Sequence, residues 1–221
     1  MIGEDIEVIL EEDSMDEVED VYNKNIPLFK NVVFEDSAYS EDVLGGEMPG
    51  VPVIAFHSYK GGVGRTLSLL AYAKAWTKIH QQNPKLLIVD ADIEAPGITW
   101  LMEEEGKLSA SSVSYLDLMD LINDNENIEK YRNSIIDSLK TSTMKIEAEN
   151  KQIEHYVMPD YRYKEQVLDL NTKPENVVYG VGKEYVIAEE LSLIGEKLGV
   201  GAVLVDLRAG ISEFSAPILL D

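Results

Sequence analysis

The chain contains no cysteine, which excludes disulfide staples and thiolate-held metals together. Histidine is nearly as scarce: His57, His80 and His155 stand apart, without the spacing of a metal-ligand set. There is no run of about 18 apolar residues, so no membrane span is expected. Basic side chains are few, 19 against 41 acidic ones, for a net charge of −22. The deficit is uneven. Residues 1–50 hold 15 acidic and 2 basic side chains, against 26 and 17 in the remainder. Such an acidic lead opposes non-specific binding to nucleic acid, where contacts to phosphate dominate affinity, and no basic stripe offsets it. Met1-Ile2-Gly3-Glu4-Asp5 does not read as a secretory signal. A soluble, cytoplasmic protein is the expectation.

What is present centres on His57-Ser58-Tyr59-Lys60-Gly61-Gly62-Val63-Gly64-Arg65-Thr66. An apolar run of strand type, Val51 to Phe56, precedes it, and Leu67 to Trp76 reads as a helix. Strand, glycine-rich turn and helix form the context of a phosphate-binding loop. Glycines allow the backbone N–H groups to curl inward, and the positive end of the following helix faces the same point. The common pattern G-x-x-x-x-G-K-[ST] is broken twice: Tyr59 stands at its first glycine and Arg65 at its lysine.

The stretch instead resembles the deviant Walker A loop, x-K-G-G-x-G-K-[ST], of the ParA/MinD-like (SIMIBI-class) P-loop ATPases, with Arg65 for its second lysine, in a KGGVGRT form. The resemblance covers about residues 51–221 and implies an α/β fold, a parallel sheet with flanking helices. Because the sequence stops at Asp221, just after an apolar stretch, that fold is expected to be cut short at its C-terminal side. Residues 1–50 read either as a solvated acidic leader or as a partner-binding segment, with Ile6–Leu10 a possible strand and Ser14–Tyr22 a possible capped helix.

Two further apolar runs end on acids. Lys85 to Asp90 leads into Asp90-Ala91-Asp92-Ile93-Glu94-Ala95-Pro96-Gly97, and Ala202 to Asp206 leads into Leu207-Arg208-Ala209-Gly210. Runs of this kind mark parallel strands buried on both faces, and ligands of such sheets sit beyond the carboxyl ends of the strands. Asp90 and Asp92 equally suit a cap on the strand end and turn. The first stretch is similar to the family's switch I, the second to its Walker B aspartate and switch II. Residues 99–150 read as a polar-rich helical insert, Gln152–Pro159 as a short strand, 160–183 as irregular surface with turns at Gly180 and Gly182, and Glu184–Leu198 as an amphipathic helix.

The resemblance implies roles residue by residue. Gly61, Gly62, Val63, Gly64, Arg65, Thr66 and Leu67 would surround the phosphates of ATP, and Gly210 would approach the γ-phosphate. Thr66, Asp90 and Asp206 would hold or support Mg²⁺. Asp92 would orient the attacking water, Arg65 would touch the β/γ oxygens, and Lys60 would reach across a homodimer closed by ATP. The implied protein is a slow ATPase switch acting through an unidentified protein partner. An alternative is a nucleotide-sensing scaffold with little hydrolysis, its acidic segment serving as interaction arm. For a kinase or ligase no acceptor-substrate site is visible. Arginine keeps the charge of lysine, but its planar fork cannot occupy the compact ammonium position unchanged.

Overall fold

The computed structural model describes residues 49–124, 128–148, 151–168, 186–210 and 215–219. The acidic segment up to residue 48, the expected turns at Gly180 and Gly182, and residues 211–213 of the switch II-like stretch lie outside the described residues. The elements in chain order are β1 (Val53–Ser58), α1 (Arg65–Ile79), β2 (Leu86–Ala91), α2 (Gly97–Glu104), α3 (Tyr115–Asp124), α4 (Glu129–Leu139), β3 (Thr143–Ala148), β4 (Lys151–Met158), α5 (Val186–Leu198), β5 (Ala202–Ala209) and a short α6 (Ala216–Leu219). One 3₁₀ turn, Lys164–Leu168, follows β4.

The five strands run in the order β1-β5-β2-β4-β3. β1, β5, β2 and β4 are mutually parallel, and β3 lies antiparallel against β4. This is an α/β fold, with a mixed sheet where a purely parallel one was expected. The difference comes from residues 143–148, which the helical reading of 99–150 had included. Met144 and Ala148 are buried while Lys145 and Glu147 are exposed. That period of two belongs to a half-buried edge strand, not to a helix. Helices do account for 97–104, 115–124 and 129–139.

Alternation along the central strands decides what reaches the site. Leu86 and Ile88 of β2 and Ala202 and Leu204 of β5 pack with Leu69 and Ala73 of α1 and with Ile98 and Met102 of α2. Leu87, Val89, Val203 and Val205 are also fully buried, on the opposite face. There α5 comes so close that a Cβ on Gly195 would stand 2.8 Å from the Val203 side chain. Asp90 and Asp206 continue the parity of Ile88 and Leu204, so both emerge on the α1/α2 face. The register sets Phe56, Asp206 and Asp90 side by side on β1, β5 and β2. Three strands therefore end at one level, with two carboxylates between them.

His155 shows how a polar group fits under this sheet. Its Nδ1 accepts from the Leu86 N–H at 3.2 Å, which leaves the proton on Nε2, 3.1 Å from the Thr77 hydroxyl. That hydroxyl in turn donates to the Ala73 carbonyl. Burial pushes the imidazole pKa down to about 4, so it is neutral at pH 7. The histidine ties α1 to β2 and is structural.

Candidate functional site

The glycine loop runs from the end of β1 to the start of α1. Gly62 and Gly64 take left-handed backbone angles, φ 74° and 84°, which favour glycine. A Cβ built on Gly61, Gly62 or Gly64 would meet nothing within 4 Å, so the loop's glycines border open space rather than packed protein. Gly64 is the N-cap of α1 and no side chain caps the helix. Its first N–H groups and the positive end of the helix dipole are thus left to whatever enters that space.

That space is a cavity of about 560 Å³, lined by the whole loop from Gly61 to Leu67 and, opposite, by Asp92, Glu94, Ala95, Arg208 and Ala209. Arg208 and Glu94 pair at 2.7 Å on that opposite wall, both substantially exposed. Lys60 is exposed and outside the lining. Beside it Tyr59 is 81% exposed, and Leu67 and Val63 also present apolar side chains to solvent.

Behind the loop the acids and Arg65 form one cluster. Arg65 Nε donates to Asp206 Oδ1 at 2.9 Å, its Nη2 to Asp92 Oδ2, and its Nη1 to Ser58 Oγ at 3.3 Å. Thr66 Oγ1 donates to the other oxygen of Asp206. Burial raises the Asp206 pKa by more than the bonds from Thr66 and Arg65 lower it. Ser58, which sequence reasoning did not single out, stands at the end of β1 two residues past Phe56 and so on the same face, where the pairing with β5 shifts by one residue.

Asp90 turns elsewhere. Its Oδ2 accepts from both the N–H and the hydroxyl of Thr99, each at 2.8 Å, so it closes the first turn of α2, which has no side-chain cap from Pro96. Burial raises its pKa to about 7. The Thr99 hydroxyl also accepts from the Asp160 N–H, linking the end of β4 to that of β2. Asp160 itself is fully buried, and neither carboxylate oxygen has a hydrogen-bond partner. Burial, then the nearby Asp90 and Asp92, push its pKa up to about 8. Nothing in the sequence distinguishes Asp160 from a surface aspartate. Gly210 lies beyond the cavity lining: its N–H donates to Ser58 O at 2.8 Å and its carbonyl meets His57 Nε2 at 2.9 Å.

A phosphate chain fits the open glycine cradle. A divalent metal on Thr66, Asp90 and Asp206 does not fit this arrangement. The Arg65 guanidinium already lies against Asp206 and Asp92 where such a cation would sit, Asp90 is spent on α2, and no group of three or more acidic or histidine side chains suited to a metal exists among the described residues.

No family model matches the sequence, and no curated protein matches it. Solved structures do resemble the fold. A plasmid partition protein from Borrelia burgdorferi is 20% identical with a TM-score of 0.44, over 77% of this chain and 62% of its own. A B. burgdorferi B31 plasmid partition protein bound to AMPPNP is 17% identical with a TM-score of 0.46, over 77% and 57%. The pNOB8 ParA bound to nonspecific DNA is 18% identical with a TM-score of 0.41, over 76% and 50%. The chain thus spans between half and about three-fifths of these structures' length, and similarity at this level says nothing of its own ligands or partners. No helix among the described residues is long and apolar enough to cross a membrane.

Proposed function

We propose that the chain is a P-loop nucleotide switch of the ParA/MinD-like kind, which binds ATP in the Gly61–Leu67 cradle and hydrolyses it slowly. One observation carries the reading: left-handed glycines, an uncapped helix start and two arginines border a single open cavity. Phosphoryl transfer asks a protein mainly for positioning and for neutralising charge. The loop N–H groups would hold the β-phosphate and Arg65 the oxygens between β- and γ-phosphorus. Water, oriented by Asp92, would attack the γ-phosphorus while its bond to the bridging oxygen breaks and ADP leaves. Lys60, with Tyr59, Val63 and Leu67 exposed around it, supports closure by a second copy of the chain. A separate protein partner would read the closed state. Mg²⁺ belongs to the family's chemistry, but no step above passes through it, because the donor set is already engaged.

The second reading, a nucleotide-sensing scaffold with little hydrolysis, is favoured by the Arg65–Asp92 ion pair. The Asp92 oxygen that accepts from the guanidinium is not free to orient a water. Phosphate release under multiple turnover separates the two readings. The shared claim is tested by titrating ATP into the chain in a calorimeter. One site is expected to fill, and Gly64→Val, which puts a branched side chain at a left-handed φ inside the cradle, is expected to empty it while the thermal melt persists. Unaltered ATP heats in Gly64→Val would refute the cradle.

A further inference from the structure

We propose that the Arg65 guanidinium stands in for the divalent metal of this site, so that the cradle takes a nucleoside polyphosphate without a metal ion. The proposal rests on the nucleotide reading and specifies its ligand class: a nucleoside polyphosphate, ATP or ADP, whose binding does not depend on a metal ion. Three observations carry it.

The first is position. Arg65 lines the cavity and, from the start of α1, reaches Asp206 at the end of β5 and Asp92 just beyond β2. Its fixed positive charge lies between the two carboxylates that a cation at this place would neutralise, with a side chain only 10% exposed. The second is the state of the other donors. Thr66 gives its hydroxyl hydrogen to Asp206, and Asp90 is consumed by Thr99. To seat a metal between Asp206 and Asp92, two charge-assisted hydrogen bonds of Arg65 would have to break together.

The third is donor arithmetic. A guanidinium has five N–H donors, and Asp206, Asp92 and Ser58 take three of them. Two remain, one on each terminal nitrogen of a group that borders the cavity. Arg65 therefore holds the strand ends together and still has N–H groups for a phosphate. A lysine, with three donors on one nitrogen, would use all of them on the same partners. The departure from the lysine pattern thus acquires a physical purpose: one side chain supplies both the cation for the acids and the donor for the phosphate.

The experiment titrates ATP into the full chain by calorimetry, once with EDTA and once with excess Mg²⁺, for wild type and Arg65→Lys. The wild-type dissociation constants in the two buffers are expected to agree within about threefold. Arg65→Lys is expected to bind with Mg²⁺ and to weaken by about tenfold or more in EDTA. Wild-type binding that weakens by about tenfold or more in EDTA overturns the proposal while the nucleotide reading stands. Absence of binding in both buffers overturns the two together. The wild-type comparison decides without the variant, which assigns the effect to Arg65.

Discussion

Two arginines in this molecule have side chains equally hidden, at 10% exposure, and both face carboxylates. Arg132 on α4 meets a single partner, Glu190 on α5, through two bonds of 2.9 and 2.7 Å. The pair is neutral, two-pronged and closed, and it joins two helices. Arg65 meets two carboxylates on different strand ends plus a serine, and it borders a cavity. One cation against two anions leaves an imbalance that a closed pair does not have. The contrast separates a clasp from a site: in the first, donors and acceptors are matched within the protein, and in the second some are left over, facing space.

The largest effect that tests this contrast is on the clasp. Glu190→Ala leaves a buried guanidinium uncompensated and is expected to cost about 3–5 kcal/mol in urea unfolding, without altering ATP affinity in the folded fraction. Asp160, an acid with neither clasp nor cation, should respond with the opposite sign. Its folded pKa of about 8 lies above the ordinary 3.8, so the folded state holds an extra proton between those values and loses stability as pH rises through them. Asp160→Asn is expected to stabilise the fold by roughly 2 kcal/mol at pH 8, with the gain fading toward pH 4. Melting curves at both pH values check it.

Arg65→Gln should cost less than Glu190→Ala, about 1–2 kcal/mol, because water entering the cavity can solvate the two freed carboxylates. It is nevertheless expected to weaken ATP binding by about tenfold or more, the reverse of the Glu190 signature. Smallest is Arg208→Ala, which breaks an exposed pair with Glu94 and should change stability by less than about 1 kcal/mol. A larger loss there would mean that this exposed pair is itself a clasp.

The loop and its strand–helix setting were legible because glycines, apolar runs and helix starts are local signals. β1, β2, β4 and β5 announced themselves in the same way. β3 did not, since its period of two is short and follows a long stretch of helical spacing. The cluster around Arg65 was legible only as residue types. That Asp206 faces Thr66 while Asp90 faces Thr99 follows from which helix lies over each strand end, which no spacing within one segment records. Two aspartates that look alike at strand ends are thereby divided into a site residue and a helix cap. Ser58 entered through the end of β1, and Asp160 through the end of β4, which only the sheet sets beside Asp90.

The chain has four arginines, Arg65, Arg132, Arg162 and Arg208, few enough for each Nε–H to be resolved in a ¹⁵N-correlated spectrum. Adding ATP in EDTA is the most direct test of the difference between clasp and site. The Arg65 Nε–H signal is expected to move on saturation while the Arg132 signal stays in place. An Arg65 signal that remains fixed as ATP saturates the protein would contradict the account.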